Sequence, residues 1–219
     1  MIGLLKSRLP FFSSLIIAWI ILTATSLSGV EFTEVAVPVH SFALNVFFIN
    51  YTFMADGIFV LAALAVYYFY FKKRKESLNL LFAFLFCEII VQAIKNMYDL
   101  QGLQFYFESG QYLFPNKAEF EQPFFSGHTA VAFSMITMMV FSYRNKWMQY
   151  LLLPAGLLMA YSRMYLGLHS LQDITLASFV GSITGLLSFY VLNCPFAENA
   201  IDKKIEAGNI LPPVRMQPA

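Results

Sequence analysis

The chain has 219 residues, 58% of them hydrophobic and 12% charged, with a formal net charge of +1. That charged share is about half that of an ordinary soluble domain, which excludes a water-soluble globule. The small net charge, without a long basic block, gives no reason to expect a nucleic-acid partner.

Several apolar runs of about 17 to 21 residues are each long enough to cross a hydrocarbon core of about 30 Å as a helix. They predict spans at 9–27, 52–71, 78–94, 127–143, 148–166 and 171–192. The fold class is therefore all-α: a polytopic six-helix transmembrane bundle forming one membrane domain over 1–198. These runs leave no room for a separate soluble domain. The first run, preceded by Lys6 and Arg8 and followed by the small residues of 24–29, also has features of a secretory signal. A retained helix is preferred because the run is longer than a typical signal core, and cleavage would leave five spans in the same orientation.

Orientation follows from the basic residues. Lys6 and Arg8 precede helix one, Lys72, Lys73, Arg74 and Lys75 join helices two and three, Arg144 and Lys146 join four and five, and Lys203 and Lys204 follow six. These segments alternate onto one side, while the other side carries only Lys95, Lys117 and Arg163. The positive-inside rule places both termini in the cytoplasm of a bacterial inner (plasma) membrane and the remaining connections at the periplasm or cell exterior.

The outer connection over 96–125 is dense in aromatic residues, including Tyr98, Phe105, Tyr106, Phe107 and Tyr112. Such density suits the headgroup layer. Two readings stand: an interfacial lid with a short amphipathic helix, or a loop packed on the bundle. The tail over 199–219, with Pro212, Pro213 and Pro218, reads as a cytoplasmic extension. Cys87 and Cys194 fall too far apart along the membrane normal for a disulfide framework and read as packing residues.

Chemistry concentrates at the outer helix ends. Ser126-Gly127-His128 opens helix four, and Arg163, His169 and Asp173 lie in or beside the connection between helices five and six. If helix six begins near His169, Asp173 lies one turn further on the same face, where its carboxylate can accept an imidazole N–H. That pairing would fix the tautomer and leave the other nitrogen free as base or nucleophile. Arg163 offers a planar fork of donors suited to phosphate oxygens, and the backbone N–H groups at a helix N-terminus favour anions. His128 beside the bound group suits proton donation to a leaving alkoxide and later activation of water.

Ser-Gly-His, then Arg, five residues, His, three residues, Asp, on a six-helix chain resembles the type 2 phosphatidic acid phosphatase family, the membrane lipid phosphatases related to vanadium-dependent haloperoxidases. The likeness covers about residues 56–192. It implies that His169 attacks phosphorus, Asp173 orients it and His128 is the acid. It further implies that Lys95, Ser126, Gly127 and Arg163 hold the phosphate, without metal or organic cofactor. Two departures stand out. The family's lysine is followed after six residues by Arg-Pro, whereas Lys95 is followed at that spacing by Gly102-Leu103. The family's Pro-Ser-Gly-His reads Phe125-Ser126-Gly127-His128, a change expected to alter loop stiffness. Loss of one bidentate arginine should weaken binding by roughly 1.5 to 3 kcal/mol, and Lys117 is a candidate replacement from the lid.

Plainer readings accompany each residue. Lys95 could snorkel to headgroups, and Ser162 is expected to satisfy backbone. Glu88, two turns deeper than Lys95, is expected to face inward toward Gln92 or water. Asp56 is either a helix cap or a support beneath the site. His40 reads as an exposed residue, and Glu108, Glu119 and Glu121 lie at no metal-binding spacing. The expected function is hydrolysis of a lipid-linked phosphate or diphosphate monoester at the outer leaflet through a phospho-histidine. The partners are a lipid phosphate substrate and membrane lipids, and the sequence is silent on oligomeric state. Alternatives are a lipid phosphotransferase of the same chemistry, or a lipid-binding or transport protein with weakened catalysis.

Overall fold

The computed structural model describes residues 2–27, 41–97, 125–143 and 146–193. Seven helices lie in them: α1 (Ile2–Leu27), α2 (Phe42–Phe53), α3 (Gly57–Phe69), α4 (Arg74–Met97), α5 (Gly127–Ser142), α6 (Lys146–Tyr165) and α7 (Leu171–Leu192). His40, most of the outer connection, with Lys117 and its acids, Cys194 and the tail 199–219 lie outside the described residues.

The all-helical, multi-pass reading stands, with changes in how spans are built. Helices α4 and α7, and α1 over Arg8–Thr25, are each long and apolar enough to cross a membrane alone. The expected span at 52–71 is instead a broken one: α2 and α3 meet at 63°, and α2 begins ten residues before the predicted start. The local signal was Asp56-Gly57, a helix cap followed by a turn residue, set between apolar runs that read as one span. The break is made by backbone bonds from Met54, Ala55 and Asp56 N–H to the carbonyls three residues back, and by the Asp56 carboxylate accepting Ile58 N–H at 2.9 Å. That carboxylate caps a fresh helix start. Helix α4 extends the third expected span to 24 residues, whereas α5 has only 16 and α6, interrupted by Pro154, does not meet the spanning criterion. A count of six crossings therefore holds only with these two included as members of the bundle.

Helix α5 is the central element. Its two sides enter two different cores, Ala130, Val131 and Met138 packing with α3, α4 and α7, and Phe133, Ile136 and Val140 with α1, α6 and α7. A helix that is apolar all round is buried all round. Its parallel neighbour α7 approaches unusually closely: a Cβ on Gly181 would stand 2.1 Å from the Ala130 carbonyl oxygen, and one on Gly185 2.2 Å from that of Ser134. Glycines four apart let two backbones touch, as small residues do at helix contacts in lipid. Polar side chains tie the other pairs, Ser134 Oγ donating to the Ala83 carbonyl at 3.2 Å, Ser77 Oγ to Leu64 at 2.8 Å, and Trp19 Nε1 to Ser178 Oγ at 3.0 Å. Cys87 is buried beside Ser134 as a packing residue.

The outer faces carry exposed Ile16, Ile17, Ile20 and Ile21 on α1, Leu85 and Ile89 on α4, and Phe179, Ile183 and Leu187 on α7. Soluble monomers rarely expose apolar surface on this scale, and a lipid phase is its natural solvent. At one end of the bundle Arg8, 2% exposed, donates to the Tyr143 carbonyl, and the Tyr143 and Tyr67 hydroxyls meet. The chemistry-bearing residues gather at the opposite end.

Candidate active site

The site grows from three local structures. The first is the turn from α6 into α7. Helix α6 ends in a Schellman arrangement: Gly167, at φ 70°, donates to the Met164 carbonyl at 2.9 Å, and Leu168 N–H donates to the Arg163 carbonyl at 3.0 Å. Glycine adopts this left-handed conformation without the steric cost other residues bear. The chain then turns through His169 to Ser170, which starts α7 with a reciprocal capping box. Asp173 N–H donates to Ser170 Oγ at 3.1 Å, and Ser170 N–H donates to Asp173 Oδ2 at 2.9 Å. The spacing Arg163, five residues, His169, three residues, Asp173 is thus one helix stop followed by one helix start. Gly167 was legible as a stop signal and was passed over in the sequence reading.

His169 and Asp173 come together as expected, with Nδ1 3.7 Å from Oδ2, an ion-pair distance longer than a hydrogen bond. The carboxylate is already engaged by Ser170, while its Oδ1 is buried without a partner. His169 is 3% exposed. Burial, reinforced by the Arg163 charge, holds it below the ordinary histidine value of 6.5, although Asp173 pulls the other way. Its neutral form therefore dominates near pH 7, as a nitrogen nucleophile requires.

The second structure is the start of α5. Ser126 is the N-cap, its Oγ accepting Thr129 N–H at 3.4 Å and lying 2.9 Å from Thr129 Oγ1. Its fully buried side chain is turned to the helix, so an anion arriving at this helix start would meet backbone N–H groups rather than the Ser126 hydroxyl. Phe125 before it has φ 87° and is fully buried in the larger core. A proline, fixed at φ of about −65°, cannot take this conformation. The backbone at Phe125 is therefore one that the family's proline could not share, a difference beyond the stiffness anticipated.

The third is the end of α4. The Lys95 ammonium lies 3.7 Å from where a Cβ on Gly127 would stand, which brings it over the first turn of α5. Lys95, His128, Arg163 and His169 are close enough for their charges to act on one another. Asp56 caps α3, the first of its two expected readings, and lies near enough for its charge to act on His128. Glu88, expected to face Gln92 or water, acts on Lys95, while the Gln92 amide donates to Asn96 at 3.0 Å. Ser162 donates to the Met159 carbonyl at 2.6 Å, satisfying backbone as anticipated.

Arg163 is 5% exposed and donates from Nη1 to Thr52 Oγ1 at 3.2 Å, while its Nε is buried without a partner. Among the described residues no carboxylate lies within ion-pair distance of it. Thr52 was not foreseen as a partner: it was expected to open the span 52–71, and instead lies near the end of the separate helix α2. Among the described residues no three His, Cys, Asp or Glu side chains converge as a metal site.

The PAP2 superfamily model matches residues 76–194, just over half of the chain. That bears out the resemblance read from the motifs. No curated protein matches. Two solved structures are similar. LpxE of Aquifex aeolicus is 23% identical with a TM-score of 0.59, over 72% of this chain and 92% of that one. The first transmembrane PAP2 type phosphatidylglycerolphosphate phosphatase from Bacillus subtilis is 21% identical with a TM-score of 0.57, over 88% of this chain and 96% of that one. At these identities the likeness is one of fold.

Proposed function

The chain belongs to the PAP2 superfamily, and on that footing we propose that it is an integral membrane phosphatase that hydrolyses a lipid-linked phosphate or diphosphate at the outer leaflet. The observation that carries this reading is Arg163, a buried guanidinium with one neutral partner, an unpartnered Nε and no described counter-ion, beside two histidines and a lysine. A buried charge left unpaired costs several kcal/mol, about 3 to 5 when a pair is broken. A phosphate bound against Arg163, Lys95 and the α5 N-terminus offsets that cost.

The chemistry follows from the atoms available. Asp173 sits at Nδ1 of His169, leaving Nε2 to attack phosphorus. An N–P bond forms as the P–O bond to the lipid breaks, and His128 gives its proton to the leaving oxygen. Water then attacks the phospho-histidine, His128 takes a proton from it, and orthophosphate leaves. Negative charge bound between the two histidines favours the protonated His128 that the first step needs. No step requires a metal ion. Both termini lie in the cytoplasm of a bacterial inner membrane, and the site faces the periplasm or exterior, where the lipid chain stays in the bilayer and the headgroup enters between α4, α5, α6 and α7.

The test is phosphate release by the purified full chain in mixed micelles. The panel holds phosphatidylglycerol phosphate, the substrate named for the Bacillus neighbour, with phosphatidic acid, undecaprenyl diphosphate and lipid A phosphates, each with and without chelator. Release that survives chelation is expected from at least one. Release abolished by chelator would contradict the histidine route, and none from any lipid would end the phosphatase reading.

A further inference from the structure

We propose that the elbow between α2 and α3 is part of the phosphate site, with Thr52 as the positioning residue that aims Arg163; this rests on the phosphatase reading above. Helix α2 is short and exposed along most of its length. One stripe is not: Asn45, Phe48, Ile49 and Thr52, spaced as one helical face, turn toward α6.

Each end of the stripe is fixed by a hydrogen bond. Asn45 Oδ1 accepts the Tyr165 hydroxyl at 2.7 Å, and Thr52 Oγ1 accepts Arg163 Nη1–H at 3.2 Å. Between them Phe48, 6% exposed, packs on the Tyr165 ring with centroids 4.4 Å apart. Tyr51 adds a bond to the Ala155 carbonyl at 2.9 Å. Immediately beyond Thr52 the chain turns by 63° through three consecutive backbone bonds, so the hydroxyl sits at a braced corner rather than on a free helix end.

The consequence for the guanidinium is geometric. Its five N–H donors lie in one plane, and a carboxylate or phosphate takes two parallel ones. One Nη1–H is engaged by Thr52, which fixes the rotation of the plane; the edge that Thr52 leaves untouched is the one made by Nη2 and the buried, unpartnered Nε. Thr52 thereby selects which pair of donors faces the substrate. A long side chain held by a single neutral acceptor loses that aim when the acceptor is removed.

The experiment uses Thr52→Val, which keeps the branched shape and loses the acceptor, and Thr52→Ser, which keeps the hydroxyl. Orthophosphate binding to the full chain in detergent is measured by calorimetry, alongside kcat and KM. Thr52→Val is expected to weaken orthophosphate binding and lower kcat/KM by about tenfold, the scale of one hydrogen bond to a charged group. Thr52→Ser should stay within about twofold of the parent, and in an Arg163→Lys background Thr52→Val should change binding by less than about twofold. A merely structural role would lower the thermal midpoint, fail to be rescued by serine and persist in the lysine background. Unchanged orthophosphate affinity in Thr52→Val would overturn the proposal while phosphate release by the parent kept the phosphatase reading intact. If the parent released no phosphate from any lipid, that reading would fall and the affinity comparison would still decide the role of Thr52.

Discussion

Gly181→Ala joins packing to chemistry most directly. The added Cβ would stand 2.1 Å from the Ala130 carbonyl oxygen, 2.8 Å from its carbonyl carbon and 2.9 Å from its Cα. All three atoms are backbone, so no side chain can swing aside. A comfortable C···O approach is about 3.3 Å, so α5 and α7 must part or slide by about 1.2 Å. Ala130 lies two residues after His128, and α7 carries Asp173 and starts one residue after Ser170. The displacement therefore falls between the proposed acid and the proposed nucleophile. Overpacking of this kind costs about 1 to 3 kcal/mol, and a misplacement of about 1 Å at reacting groups costs about a hundredfold in rate. The assay is kcat/KM for lipid phosphate hydrolysis together with the thermal midpoint in detergent. Gly127→Ala is the steric control, because its Cβ would meet only ordinary contacts at 3.4 and 3.7 Å, and its thermal midpoint should hardly move. Parental activity and midpoint in Gly181→Ala would refute the close approach of α5 and α7 as the spacer of the site.

Three further outcomes are expected. His169→Ala should reduce phosphate release by at least about a thousandfold while the thermal midpoint stays near the parent's; undiminished turnover would remove the phospho-histidine route. The acid limb of kcat/KM should lie below pH 6.5, because burial keeps His169 neutral to lower pH and activity is lost only as pH falls through that lowered value. Asp173→Asn removes the influence that raises the histidine, so the limb should move further down as the rate falls; a limb above 6.5, corrected for titration of the substrate phosphate, would contradict the assignment. Phe125→Pro, which restores the family's residue, should destabilise the protein by about 3 kcal/mol or more, since proline cannot adopt φ 87° and the buried ring is lost; a thermal midpoint equal to the parent's would show that the loop has another path.

What could be read from the sequence was local. The spacing from Arg163 to Asp173 is a single helix stop and start, so residue types at fixed intervals already describe its geometry. The meeting of His169 and Asp173 was anticipated from helix pitch, and the capping box at Ser170 brings it about with His169 just outside the helix. Gly167 at the stop was equally legible in principle. The break at residues 54–56 was only half legible: Asp56-Gly57 marks a helix start, but the apolar residues on both sides satisfy the length criterion for one continuous span. Glu88 is a related case: residues four apart on one helix face can pair, which made Gln92 or water the expected partner, whereas the charge that acts on it is Lys95, two turns further along the same helix.

Composition and charge placement by themselves determined that the chain lives in a membrane, because transfer of apolar surface and of Lys and Arg depends on residue type alone. The motif residues likewise gave the family resemblance, and with it the expectation of a phosphate site, before any coordinates. Only the tertiary structure decided which helix touches which. Helices such as α5 and α7 are apolar on every side, so hydropathy cannot say which face meets a partner. The glycine contact that spaces His128 from Asp173, and the hydroxyl of Thr52 that holds Arg163 across 111 residues of chain, exist only once the helices have packed.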